Sequence, residues 1–159
     1  THGVFEITLS AEDDEGNSHS IEVKVKIDMH IVWTESNTAS SAMSFDVTPD
    51  CEDGEPLADR ITISSTVTNP TSGGFFGGGA NSDVTWTLLN PSDEEIGTNS
   101  GTVADGQSQT WDYTSRDTVE GFWKINIEVA ENGDDVNVEN DVTIAYPEGA
   151  EDAVNPRTE

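Results

Sequence analysis

Basic residues are the scarcest feature of this 159-residue chain: 6 Lys plus Arg stand against 32 Asp plus Glu, a formal net charge of -26. Six scattered cations do not neutralise a row of phosphates, which excludes nucleic-acid binding through a basic face. Adhesion to anionic lipid is disfavoured for the same reason. Long apolar runs are missing too. None approaches the ~18 residues a membrane helix needs, and no charged-then-apolar targeting segment opens the chain, so no membrane insertion is expected. Cysteine occurs once, as Cys51 between Asp50 and Glu52. One thiol closes no internal bridge, and its acidic neighbours disfavour the thiolate, so it reads as a free thiol, with an intermolecular bridge or a partner Cys in a further segment as the alternatives. No Asn-x-Ser/Thr sequon is present, so N-glycosylation gives no marker of secretion.

Leucine is also scarce, with 4 residues against 14 Val, 10 Ile and 18 Thr. Side chains branched at Cβ suit a pleated, half-buried surface, so the bias is towards strands. Leu, Ile, Val and Phe together number only 33, close to the ~20% level below which highly charged chains stay unfolded. Their spacing argues for folding.

Phe5, Ile7 and Leu9 alternate with polar residues, and Ile21, Val23, Val25 and Ile27 alternate with Glu22, Lys24 and Lys26. The two runs read as strands of a hairpin closed by the polar segment 11–20, which contains Gly16. After a short joint over 28–30, further strands are expected at Ile31-Val32-Trp33, at Met43 to Val47 and at Ile61 to Val67. More follow at Val84 to Leu88, around Trp111 and Tyr113, at Trp123 to Val129, and at Val136-Val138 with Val142 to Ile144. Asn132-Gly133 is the best short hairpin signal. No helix is expected. Eight or nine short strands separated by turn residues fit an all-β, antiparallel β-sandwich, with the four Trp as large inner anchors.

Gly3 to Asn17 running into Ile21–Ile27 resembles the last two strands of PKD and related immunoglobulin-like modules of archaeal and bacterial surface proteins. Val84-Thr85-Trp86-Thr87-Leu88-Leu89-Asn90-Pro91-Ser92, followed by Glu120-Gly121-Phe122-Trp123-Lys124-Ile125, is similar to repeated cell-surface modules and, more loosely, to the P-domain of secreted proteases. The resemblance implies a partial module over 1–28, an immunoglobulin-like sandwich over 29–147, and an acidic tail or linker over 148–159. It implies no catalytic residue.

Candidate chemistry is sparse. Residues 11–22 imitate an EF-hand loop through Asp13, Glu15, Gly16 and Glu22, but the first ligand position is Ala11 and the flanks alternate as strands. Asp134 and Asp135 could join other loop oxygens at a calcium ion, against the plainer reading of a solvated turn. His2, His19 and His30 have no activated hydroxyl in reach of the sequence, and Gly97-Thr98-Asn99-Ser100-Gly101 is not a nucleophile elbow. Zinc motifs are absent. Phe75-Phe76, set in glycines, is either a contact for a subunit or ligand or a cover over one end of the sandwich. No catalytic, cofactor or metal residue is assigned, and no enzyme is expected.

Acidic residues occupy nearly every loop and outward position, a global bias that suits a surface adapted to high salt, with the cations of the medium around it. The expected role is a structural or adhesion module of a larger extracellular or cell-surface protein of halophilic, archaeal type. Its partners would be neighbouring modules or identical subunits. One alternative is a subunit of an extracellular filament or layer in which residues 1–28 complete a neighbour's sheet. Another is a calcium- or glycan-binding accessory domain of a secreted hydrolase.

Overall fold

The computed structural model describes residues 1–49, 58–71, 79–131 and 133–146. Cys51, Phe75-Phe76, Asn132 and the tail over 148–159 lie outside them. Ten strands are formed: β1 (Gly3–Glu12), β2 (Ser18–Ile27), β3 (Met29–Thr38), β4 (Ser40–Asp46), β5 (Arg60–Thr68), β6 (Ser82–Leu89), β7 (Glu95–Val103), β8 (Ser108–Ser115), β9 (Phe122–Val129) and β10 (Val136–Ala145). No helix occurs among the described residues. The all-β, antiparallel sandwich expected from the alternation is present.

β3-β10-β5-β8 form one four-stranded sheet, β4-β9-β6-β7 a second, and β1-β2 a separate pair. Within the sandwich only β6 and β7 are both consecutive and paired; every other connection crosses from one sheet to the other. That winding is the double Greek key of an eight-stranded jelly roll. β9 and β10, expected to pair as a hairpin, lie instead in opposite sheets, each flanked by two other strands.

The core follows the inward positions. Ile61, Ile63 and Val67 of β5, Val84, Trp86 and Leu88 of β6, Trp123, Ile125 and Ile127 of β9, and Val136, Val138, Val142 and Ile144 of β10 are buried. Trp86 Nε1 donates to Ser65 Oγ at 3.0 Å across the gap between the sheets, so one of the two largest side chains of the core is fixed by its one polar atom. Asn140, opposite Ser65 on β10, is fully buried, and neither its side-chain oxygen nor its nitrogen is hydrogen-bonded. An apolar residue there would fit the pattern better.

Three further features depart from the alternation pattern. The joint between the hairpin and the sandwich is Asp28 alone, since β3 starts at Met29. Trp33 is a poor inner anchor, 46% exposed at the edge of its sheet. β7 was not foreseen. Its inward positions include Gly97 and Gly101, whose space is filled from β8: a Cβ on Gly97 would lie 2.7 Å from the Tyr113 ring, and one on Gly101 would lie 2.3 Å from the Gln109 side chain. The Tyr113 hydroxyl then donates to Ile96 O at 3.0 Å, closing that edge of the sandwich.

Candidate functional site

β1 and β2 pair over ten positions, from Gly3 with Ile27 to Glu12 with Ser18. At ~3.3 Å per residue the hairpin is ~33 Å long. Directly opposed residues share a face, so Phe5/Val25, Ile7/Val23 and Leu9/Ile21 build an unbroken apolar strip with Ile27 at its foot. The other face carries Glu6 opposite Lys24 and Thr8 opposite Glu22.

Only the foot of this arm joins the sandwich. His2, Gly3 and Val4 are buried, and Val4 belongs to the same core as Trp86 and Trp123. His2 Nδ1 and the Tyr146 hydroxyl are hydrogen-bonded at 2.6 Å, while the Tyr146 amide donates to Asp28 Oδ1 at 3.0 Å. The joint is therefore held by both ends of the arm and by the residue after β10. Beyond it the apolar strip is left open among the described residues: Ile7, Leu9, Ile21 and Ile27 are 44%, 53%, 43% and 42% exposed. A two-stranded hairpin is marginal in water unless its hydrophobic face packs on something, and four large aliphatic side chains in one strip exceed the scatter of single exposed residues on an ordinary surface.

The tip is well made. Gly16 sits at φ +85°, the left-handed region that glycine enters without steric cost. Asp13, which the sequence placed in a failed EF-hand pattern, caps this turn. Its carboxylate accepts from the amides of Glu15 (3.0 Å) and Asn17 (2.8 Å) and from Asn17 Nδ2 (2.9 Å). Those bonds, led by the Asn17 side chain, favour the charged form and lower the pKa below its ordinary 3.8. A depressed carboxylate supports the structure above the unfolded value and loses that support as pH falls through the folded one. The tip is thus expected to stay closed at neutral pH and to open as the pH drops below 3.8, and Asp13→Ala to open it at all pH values. Amide shifts of residues 13–17 would report this, with the sandwich unchanged.

The other candidates do not converge. His2 is at the arm's foot and His19 near its tip. His30 Nε2 lies 2.7 Å from Asp141 Oδ1 on an open sheet face, where the side chains are 60% and 45% exposed. No wall there excludes water from a reaction. Asp134 Oδ2 accepts the Ala80 amide at 2.7 Å, and its carbonyl accepts from Ser82 Oγ at 2.8 Å, so it straps the β9–β10 turn to the start of β6. Among the described residues no group of three or more His, Cys, Asp or Glu is placed to hold a metal ion. A recess of about 120 Å³ lies between Asn90, Ile96, Tyr113, Ser115, Asp117, Val119 and Trp123. The Tyr113, Ser115 and Trp123 donors on its wall are all spent on protein carbonyls, those of Ile96, Asp117 and Val119.

No family model matches this chain, and no curated protein matches it. Among solved structures it is similar to a chain from the work titled "Bacillus endospore appendages form a novel family of disulfide-linked pili", with 13% identity, 92% of each chain covered and a TM-score of 0.36. It is also similar to a chain described under the promiscuous specificity of carbohydrate-binding modules from the β-sandwich superfamily. That match has 13% identity, covers 93% of this chain and 75% of the other, and has a TM-score of 0.25. The fold stated above rests on the strand pairing, not on either likeness.

Proposed function

We propose that this chain is a non-catalytic structural module of an extracellular surface protein or assembly, adapted to high salt, and that its arm joins it to a neighbouring module or subunit. The observation that carries this reading is the ten-pair arm, fixed at its foot, whose apolar strip meets no cover among the described residues. Three further features support it. The histidines bond to different partners, His2 to Tyr146 and His30 to Asp141, the acids outnumber the bases throughout, and the resemblance of the opening strands and of Val84–Ser92 is to modules of surface proteins. The sandwich acts as a rigid body that sets distance and direction. The arm makes the contact.

The triple variant Ile7→Thr, Leu9→Thr, Ile21→Thr tests this reading in cells that make the protein. These side chains stand outside the sandwich, so the variant is expected to keep the unfolding midpoint of the sandwich. Wild type is expected to fractionate with the cell envelope, and the variant to be released into the medium. Equal retention of both would overturn the reading.

A further inference from the structure

The recess beside Tyr113 and Trp123 has a volume of about 120 Å³, and no residue of the arm lines it. An apolar cavity of ~150 Å³ accepts benzene, so this space admits a body of about five or six heavy atoms. The state of its wall decides which body fits. Asn90 Nδ2 donates to Glu94 Oε2 at 3.0 Å, the Tyr113 hydroxyl to Ile96 O at 3.0 Å, Ser115 Oγ to Asp117 O at 2.9 Å and Trp123 Nε1 to Val119 O at 2.8 Å. Sugars and anions are held by donors, and each side-chain donor group here is already engaged. The wall has other things to offer. Asp117 spends its amide and its carbonyl on Ser115 Oγ, while its carboxylate takes no bond from a described residue. Ile96 and Val119 supply aliphatic surface, and Tyr113 and Trp123 supply rings.

The fixed charge around this space is mostly of one sign. Asp93, Glu94 and Glu95 come just before Ile96, and Glu120 follows Val119. The two cations of these segments are each paired already, Arg116 with Asp59 at 3.7 Å and Lys124 with Asp93 at 2.6 Å.

We propose that the recess binds a small organic cation with an apolar body, a methylated ammonium of about five or six heavy atoms. Such a group carries its charge beneath methyl groups, so it asks for no donor and presents none. Carboxylates attract it, and so do aromatic rings. Ile96 and Val119 take up the methyl surface, and Asp117 balances the charge. A metal ion is a poor occupant: no group of three or more His, Cys, Asp or Glu among the described residues is placed to hold one, and a bare ion loses its hydration against apolar walls.

Titration of the full chain with tetramethylammonium chloride, followed by NMR at about 0.5 M total salt made up with NaCl to screen the general field, tests the proposal. A ligand of this size reaches about millimolar affinity even when it binds efficiently. The expected result is a saturable shift, with a millimolar dissociation constant, confined to the Trp123 indole N–H and the Ile96 and Val119 methyl groups. tert-Butanol has the same number of heavy atoms, a similar shape and no charge, and is expected to bind about tenfold more weakly or not at all. Asp117→Asn is expected to raise the dissociation constant about threefold or more. Val119→Phe, at a position 45% exposed, fills the mouth and abolishes binding, with the unfolding midpoint kept in both variants. No saturable shift at these groups up to about 0.1 M cation overturns the proposal, as does equal affinity in wild type and both variants. Equal binding of tert-butanol also overturns it, by making the recess an apolar pocket only. So do shifts that grow without saturation over the whole acidic surface, which report the counter-ions of a chain with a net charge of -26.

Discussion

Replacing Trp86 by alanine lowers the unfolding free energy by about 3–5 kcal/mol, the cost of emptying a large aromatic site in a core that collapses only partly. Trp86 is fully buried in β6, the second sheet's inner strand beside β9, and its indole nitrogen is held by Ser65 of the other sheet. Truncation removes the packing and also strands the Ser65 hydroxyl beside Asn140, which already has both side-chain polar atoms without partners. Because a whole domain is stable by only about 5–15 kcal/mol, urea denaturation should show the midpoint falling by about a fifth or more. A fall below 1 kcal/mol would mean that the two sheets are not clamped at this level.

The second large effect is that of salt. Ion pairs among the described residues, such as Lys124 with Asp93 at 2.6 Å and Arg116 with Asp59 at 3.7 Å, are exposed, and pairs of this kind contribute little. With 32 acids against 6 bases, repulsion dominates. Two carboxylates ~8 Å apart in a high-dielectric setting repel by about 0.2 kcal/mol at 0.1 M salt and by almost nothing at 1 M. Summed over about twenty neighbouring pairs, less the repulsion left in the unfolded chain, screening adds on the order of 3 kcal/mol. That raises the thermal midpoint by about 10 °C. Scanning calorimetry in 0.1 M and 1 M NaCl would measure it, and an unchanged or lower midpoint would refute the adaptation to high salt.

What could be read from the sequence follows from how each side chain meets its surroundings. Ile61–Ile63–Val67, Val84–Trp86–Leu88 and Trp123–Ile125–Ile127 alternate because one face of each strand is core and the other is water, so period two alone located them. β7 escaped because its inward positions are small: Gly97 and Gly101 are the floor on which Tyr113 and Gln109 of β8 lie. The pattern there is written in the neighbouring strand. Trp33 misled because aromatic content says nothing of edge position. Strand order was invisible for a similar reason, since alternation marks a strand's inner face but not which strand lies beside it, and an Asn-Gly pair in a sequence does not say whether the strands around it share a sheet. The arm was visible as a hairpin from its two amphipathic runs. That its apolar face would meet no cover among the described residues could not be seen, because Phe5, Ile7 and Leu9 alternate in the same way whether a core or solvent lies beneath them.

Hydrogen exchange on dilute, monomeric protein tests most directly whether the arm stands clear of the sandwich. Amides of residues 5–11 and 19–25 should exchange orders of magnitude faster than those of β5, β6, β9 and β10, which open only with global unfolding. Protection of the arm equal to that of β5 and β10 in the monomer would contradict the account, for it would mean that the strip is already covered.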